Sequence, residues 1–212
     1  MERLNQKKIT CPKPLINRKG KHLTKIKNKP ASIVTFLSGT DKVNLSYKNC
    51  FDVGKNVAKF HLASHKIQLY RKNSMSVNNL DSLLKKINFK TKTIAPNLKL
   101  ILKKNIKEIK KEWPKNIPDG IIHGDLFIDN LFFKKNKFVG FIDFYFSSND
   151  YLMYEIAICI NALCFDRKNN KFVLNNDKVK SFINGYQNIK KISQKEKDTL
   201  NVLCRGAAMR YL

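Results

Sequence analysis

Residues 121–146, IIHGDLFIDNLFFKKNKFVGFIDFYF, constrain this chain more than any other stretch. Two apolar runs, Ile121-Ile122 and Phe138 to Ile142, each lead into a polar motif. His123-Gly124-Asp125 follows the first run, and Asn130 lies five residues beyond that aspartate. Asp143 follows the second run, thirteen residues after Asn130. Between them, Leu131-Phe132-Phe133, the polar turn Lys134 to Lys137 and Phe138-Val139-Gly140 read as a β-hairpin. Such a hairpin returns Asp143 to the neighbourhood of Asn130. Asp and Asn are common at strand ends for local reasons, so one acidic end alone would mean a solvated turn. His, Asp, Asn and Asp in order, each at a strand end, point instead to a site.

Phosphoryl transfer is the chemistry that needs this set. A phosphoryl group carries much negative charge and offers little covalent handle, so catalysis is mostly positioning and electrostatics. One carboxylate accepts or orients the attacking hydroxyl, and a second carboxylate with an amide oxygen holds Mg²⁺ against the phosphates of ATP. In the kinase pattern these are the Asp and Asn of H-x-D-x-x-x-x-N and the Asp of D-F-G. Asp125, Asn130 and Asp143 fall in those places, the last in Asp143-Phe144-Tyr145. Asp125 is therefore the candidate catalytic residue, and Asn130 and Asp143 are the candidate metal ligands. His123 is expected to brace the loop.

Further stretches carry a likeness beyond the triad: HGDLFIDNLFF, GFIDFYFSSNDYLMYEIAICINALCFD, the upstream CPKPLINRKG and PASIVTFLSG, and RGAAMRYL at the end. Together they resemble the bacterial homoserine kinases of the aminoglycoside phosphotransferase-like superfamily, across nearly all of the chain. DFYFSSND followed by a helix ending NALCFD sets the likeness apart from choline kinases and antibiotic phosphotransferases. Two positions depart from it, Ile128 where Pro is expected and Glu155 where relatives usually carry Asp.

The resemblance implies an α+β, protein kinase-like two-lobe fold, with an incomplete N-lobe over residues 1–40 and a mostly helical C-lobe over 41–212. It implies ATP and Mg²⁺ as cofactors and L-homoserine as the small-molecule substrate, phosphorylated on its side-chain hydroxyl in threonine biosynthesis. It also implies that Thr35, Phe36 and Leu37 form a hinge offering backbone groups to adenine. Phe132 and Ile142, on the strands beside the two metal ligands, are candidates for an apolar floor under the base. No spacing in the sequence reveals homoserine itself. Another small-molecule kinase of the same superfamily is one alternative. A catalytically incomplete fragment is a second, since no G-x-G-x-x-G occurs and the sequence is expected to be cut at both ends.

A net charge of +26 invites a nucleic-acid partner. The excess, however, is 36 Lys against 6 Arg, spread along every segment beside 24 Asn. Base readout and bidentate phosphate contacts favour Arg, so no specific nucleic-acid binding is expected, only weak, salt-sensitive association. With 42% apolar and 10% aromatic residues the chain has the means for a core. No run approaches the roughly eighteen apolar residues of a membrane span, and MERLNQKKITCPKP lacks a signal-peptide apolar run. A cytoplasmic protein with no membrane contact is expected, and nothing in the sequence fixes an oligomeric state. The odd cysteine count (Cys11, Cys50, Cys159, Cys164, Cys204) without C-x-x-C argues for thiols rather than a disulfide framework.

Along the chain, residues 1–9 read as the end of a helix, and Asn17 to Gly20 as a hairpin turn between Leu15-Ile16 and Leu23 to Ile26. Ala31 to Leu37 reads as a buried strand. A helix is expected from Ser46 to about Ile67. Residues 68–96 should be irregular, apart from a short helix near Leu80 to Ile87. Asn97 should cap a helix to Trp113 that buries Leu98, Ile101, Leu102, Ile106 and Ile109. After Asp143, a loop over 147–150 leads to a buried helix from Tyr151 to Cys164, and helices follow over 178–189 and 193–211, the latter opened by a capping box at Ser193 to Glu196. Asp150 is expected as an N-cap, with a substrate amino group as the alternative. Arg205 is expected to pair with a structural carboxylate, with a substrate carboxylate as the alternative. His61 and His65, four apart with no third ligand, are expected to be structural.

Overall fold

Turn and cap chemistry divides the chain into short hairpins and amphipathic helices. The computed structural model describes residues 1–87 and 91–211. Helix α1 (Glu2–Gln6) leads to a hairpin of β1 (Thr24–Ile26) and β2 (Lys29–Ala31), and then to α2 (Tyr47–Ser64). Next come α3 (Leu80–Lys86), α4 (Thr91–Ile94) and α5 (Leu98–Glu112). Strands β3 (Asp119–Ile122), β4 (Leu131–Lys134), β5 (Lys137–Phe141) and β6 (Ser148–Tyr151) follow, and then α6 (Leu152–Leu163). The chain continues through β7 (Phe165–Lys168), β8 (Lys171–Leu174), α7 (Asn176–Gln187), α8 (Gln194–Asp198) and α9 (Leu200–Met209). Among the described residues the strands pair antiparallel in twos: β1–β2, β3–β6, β4–β5 and β7–β8. The expected α+β class, mostly helical after residue 41, is what the chain forms.

Three hairpins turn on a residue pair with positive φ, Lys27-Asn28, Lys135-Asn136 and Asn169-Asn170. Two successive left-handed residues match the right-handed twist of the flanking strands, and Asn tolerates that conformation better than most residues. The asparagine-rich composition thus has a use in the fold.

The core lies where α2, α6, α7 and α9 meet the β4–β5 hairpin, with Val53, Val57, Phe60, Leu131, Tyr154, Phe182 and Leu203 buried together. Helix α6 is apolar on all sides because it is buried on all sides, its lone acid being Glu155. Helices α2 and α7 approach so closely that a Cβ on Gly185 would lie 2.0 Å from the Phe51 carbonyl oxygen, and one on Gly54 would lie 2.1 Å from that of Phe182. A second cluster joins α3, α5 and α9 through Leu80, Leu84, Leu102, Ile106 and Val202.

The start of α2 also fixes the β4–β5 hairpin. Ser46 and Asn49 form a reciprocal capping box. Asn49 Nδ2 then donates to the Asn136 carbonyl at the hairpin turn at 3.0 Å, and Lys42 Nζ donates to Asn136 Oδ1 at 2.6 Å. On the other edge Thr40 and Phe133 exchange backbone hydrogen bonds of 3.0 and 2.7 Å. The hairpin is held at both its turn and its side.

Several local expectations are corrected. Ala31 to Leu37 is not a buried strand: Ile33 is 73% and Phe36 86% exposed, because past Ala31, where β2 ends, its backbone is met by residues 13–15 across isolated pairings such as Pro14 with Val34 rather than by a sheet. The 17–20 turn exists, closed by the Asn17 amide on the Lys21 carbonyl at 2.9 Å. The hairpin strands themselves nevertheless form one turn later, around Lys27-Asn28. Residues 148–151 are a strand, not a loop, paired to β3 from Ser148–Ile122 to Tyr151–Asp119 and flanked by a parallel bridge from Lys72. Asn97 stands at the N-cap of α5 without a capping hydrogen bond, and Ile101 is 54% exposed on the far side of that helix. The last helix is broken at Thr199 into α8 and α9, with the predicted Ser193–Glu196 capping box present on α8. The β7–β8 hairpin had no sequence expectation. Residues 88–90, inside the stretch expected to be irregular, and Leu212 of the final motif lie outside the described residues.

Candidate active site

Strand β3 delivers the chain into the loop that the motif predicted. Ile122 is fully buried at the strand end, and Gly124 follows at φ +79°, where a Cβ would sit 2.8 Å from the Phe146 carbonyl oxygen. Only glycine takes both that dihedral and that approach without strain. Buried Leu126 pins the loop. The Phe127 amide then donates to the Asp125 carbonyl at 2.9 Å, and the Asn130 amide to the Phe127 carbonyl at 3.0 Å. The Asn130 side chain turns back on the aspartate: its Nδ2 donates to the Asp125 carbonyl at 2.7 Å and to Asp125 Oδ2 at 3.3 Å.

The hairpin closes the site. The Ile142 amide donates to the Asn130 carbonyl at 3.1 Å, so Asp143 emerges beside Asn130. Asp143 is exposed and left-handed at φ +56°, an uncommon conformation for a residue with a Cβ, and its Oδ1 accepts from the Tyr145 amide at 3.1 Å. Burial raises the Asp125 carboxyl above the usual range. Arg210 and the Asn130 hydrogen bond oppose that rise, while the charges of Asp143 and Asp129 add to it. Asp125, Asn130 and Asp143 are therefore brought together.

His123 braces this arrangement. Its Nε2 donates to the Ile142 carbonyl at 2.8 Å, which makes Nε2 the protonated nitrogen, and its ring lies 4.6 Å from that of Phe144. Burial pushes its pKa down to about 4, against the Ile142 hydrogen bond and the Asp143 charge, so the ring is neutral at ordinary pH. Behind the loop, the fully buried Glu155 of α6 accepts from the His123 amide and from the Gly124 amide, the latter at 3.1 and 3.2 Å to its two oxygens. Burial pushes that carboxyl up to about 7, against those hydrogen bonds and the Arg210 charge. The sequence marked Glu155 only as a departure from relatives; a single acid in an apolar helix was the available signal for a buried, hydrogen-bonded carboxylate.

The candidate nucleotide residues approach the same hairpin unevenly. A Cβ on Gly140 would lie 3.2 Å from Leu37 Cδ2, and one on Gly39 would lie 3.5 Å from Phe132 Cβ, so the chain after Leu37 crosses directly over β4 and β5. Phe132 and Ile142 are half-buried. The Thr35 amide is already committed to the Lys13 carbonyl at 2.9 Å, whereas among the described residues no backbone hydrogen bond engages Phe36 or Leu37.

Other candidates settle as follows. Asp150 is not a helix cap; α6 begins after Tyr151, and Asp150 accepts from the Tyr151 amide at 2.8 Å and from Asn73 Nδ2 at 2.7 Å. Arg205 pairs with Glu112 at 2.9 Å and Glu108 at 3.3 Å, the structural role expected of it. His61 is buried with Nδ1 2.9 Å from the Tyr186 hydroxyl, while His65 is exposed, so the two share no ligand. All five cysteines are free thiols. Two residues that carried no expectation come close to these groups: Asn73 donates to Asp150, and the Arg210 charge acts on Asp125. No helix among the described residues is long and apolar enough to cross a membrane.

A family model described as the phosphotransferase enzyme family matches residues 1–174. The chain belongs to this family. Among curated proteins it is 37% identical over 212 residues to a homoserine kinase of Bradyrhizobium sp. (strain ORS 278), covering all of this chain and 65% of the relative. It is 36% identical over 211 residues to a homoserine kinase of Agrobacterium fabrum, with the same coverage. The chain thus spans about 65% of the length of the curated relatives it matches. Among solved structures, an amicoumacin kinase in complex with AMP-PNP, Ca²⁺ and Ami superposes with a TM-score of 0.77 at 15% identity, over 99% of this chain and 66% of that one. A choline kinase from Cryptosporidium parvum gives 0.65 at 14% identity, over 98% and 66%. These two likenesses show the kinase-like phosphotransferase fold.

Proposed function

We propose that the chain carries the catalytic centre of an ATP-dependent kinase that phosphorylates the side-chain hydroxyl of L-homoserine, giving O-phospho-L-homoserine on the route to threonine. The observation that carries this reading is the meeting of Asp125, Asn130 and Asp143 at the base of one hairpin. It is supported by 35–37% identity to homoserine kinases along the whole chain. Asp125 orients the substrate hydroxyl and accepts its proton. The hydroxyl oxygen bonds to the γ-phosphorus of ATP as the bond to the β–γ bridging oxygen breaks, and ADP leaves. A half-buried carboxyl with a raised pKa suits proton acceptance better than a solvated one.

The donor set fits a hard divalent cation such as Mg²⁺. Asn130 spends its Nδ2 on Asp125, which leaves its Oδ1 without a donor among the described residues, and Asp143 spends one oxygen on the Tyr145 amide. Among the described residues no cluster of three or more His, Cys, Asp or Glu side chains could hold a metal. An amide oxygen and one carboxylate, completed by phosphates and water, is the manner in which Mg²⁺ binds with nucleotides. Bound there, it would neutralise charge on the transferring group. The unengaged backbone of Phe36 and Leu37 supports a place for adenine over Phe132 and Ile142, with Thr35 at its edge.

The test is ATP consumption by the whole product of the gene with L-homoserine, choline and an aminoglycoside. Preference for L-homoserine is expected. Preference for another alcohol rejects the substrate and keeps the kinase; no turnover with any alcohol rejects both.

A further inference from the structure

Beside the loop that carries Asp125 lies a guanidinium with no anion among the described residues. Arg210, where α9 ends, is only 7% exposed, and its Nε and Nη1 have no hydrogen-bond partner. The fully buried Tyr154 hydroxyl lies next to this guanidinium, which opposes the rise that burial gives its pKa, but it too has no hydrogen-bond partner of ordinary geometry. Three carboxylates feel the Arg210 charge, those of Asp125, Asp150 and Glu155, yet none forms an ion pair with it. Glu155 serves the His123 and Gly124 amides, Asp125 is held by Asn130, and Asp150 is held by Asn73 and the Tyr151 amide. A buried charge without a counter-ion is costly. One face of Arg210 borders a cavity of about 270 Å³ walled by Met75, Leu80, Leu84 and Met209, so the guanidinium is not sealed on every side.

A guanidinium fork matches a carboxylate in geometry and charge. Asp150 spends one lone pair on each oxygen and keeps others, because a carboxylate offers about four acceptor positions. Asn73, itself buried, positions it. Asp125 and Asp150 each lie within electrostatic reach of Arg210, so a hydroxyl acceptor and an ammonium acceptor flank a carboxylate donor, a set that complements the three polar groups of an amino acid with a side-chain hydroxyl.

We propose that Arg210 and Asp150 form the amino-acid clamp of this site, Arg210 binding the substrate α-carboxylate and Asp150 its α-ammonium while the side-chain hydroxyl meets Asp125. The proposal rests on the homoserine reading above and adds the residues that make the substrate an amino acid rather than a simple alcohol.

The experiment is calorimetric titration of the protein with L-homoserine, with 3-aminopropan-1-ol, which lacks the carboxylate, and with 4-hydroxybutanoate, which lacks the ammonium. The unaltered protein should favour L-homoserine over each by roughly tenfold or more, the worth of a charge-assisted hydrogen bond. Arg210→Met should reduce L-homoserine to the level of 3-aminopropan-1-ol while leaving the latter unchanged, which also shows the variant is folded. Arg210→Lys, keeping charge without the fork, should keep part of the preference, and holds the test open should the Met variant collapse. Asp150→Asn should reduce L-homoserine to the level of 4-hydroxybutanoate. An Arg210→Lys or Arg210→Met protein that keeps the full preference, or loses affinity for L-homoserine and 3-aminopropan-1-ol in parallel, overturns the clamp alone. An unaltered protein that does not bind L-homoserine overturns the substrate reading and the clamp with it.

Discussion

Replacing Glu155 by Gln separates two opposite consequences of one buried carboxylate. The side chain accepts from two backbone amides, His123 and Gly124, with no exposure to water. Glutamine can accept from one of them, but its NH₂ faces the other, so the variant leaves a buried donor unpaired at a cost of about 1–3 kcal/mol. Burial also raises the folded-state pKa of Glu155 from an ordinary 4.5 to about 7. A raised carboxyl pKa means that the fold prefers the protonated form. Its contribution is complete below pH 4.5 and is lost as pH rises through 7, a change of about 3 kcal/mol at about 1.4 kcal/mol per pH unit. The glutamine carries no such slope. His123 slopes the other way: with its folded pKa depressed to about 4, its contribution is present above 6.5 and lost as pH falls. The histidine is common to both proteins and cancels in their difference. Urea unfolding at pH 5, 6, 7 and 8 should show Glu155→Gln less stable at pH 5, with the difference moving by about 2.5 kcal/mol in favour of the variant by pH 8, enough to cancel or reverse the deficit. A deficit that is constant or grows with pH would mean that Glu155 is ionised in the fold across this range.

Three further outcomes follow from the same contacts. Asp125→Asn should lower kcat for L-homoserine by about 10²–10⁴, with little change in ATP affinity, measured by coupled ADP release. Gly185→Ala should destabilise by about 1–3 kcal/mol or more in urea, because its Cβ would meet the Phe51 carbonyl at 2.0 Å and α2 and α7 would have to separate. Arg205→Ala should change stability by less than about 1 kcal/mol, because its pairs with Glu108 and Glu112 are solvent-accessible; a larger loss would assign Arg205 another role.

The β4–β5 hairpin was legible because its determinants are local. Apolar strand residues, a polar turn and polar strand ends sit within 26 residues, and the pairing of Leu131 with Phe141 and Lys134 with Lys137 needs no distant partner. Helices α2 and α6 were legible for the same reason, α2 through its apolar spacing after Ser46 and α6 as an unbroken apolar run. Ala31 to Leu37 misled because β-branched composition reports strand propensity rather than what lies against the strand. Asp150 misled because an acid before an apolar helix resembles a cap, while the pairing of β6 with β3 across residues 119–122 carries it elsewhere. Arg205 and Arg210 are five apart in sequence and opposite in circumstance, one paired with Glu108 and Glu112 and the other buried with no anion among the described residues. That difference depends on α5 and α6 packing against α9, which no local pattern encodes. Glu155 needed the tertiary contact between α6 and the 123–124 backbone to acquire its role.

The most direct test of the phosphotransferase centre is a crystal structure of the protein with AMP-PNP and Mn²⁺, with the ion located by its anomalous signal. One ion should be bound jointly by Asn130 Oδ1 and the Asp143 carboxylate, with the γ-phosphate directed toward Asp125. An ion held by neither side chain, or a nucleotide seated away from the β4–β5 hairpin, would contradict that assignment.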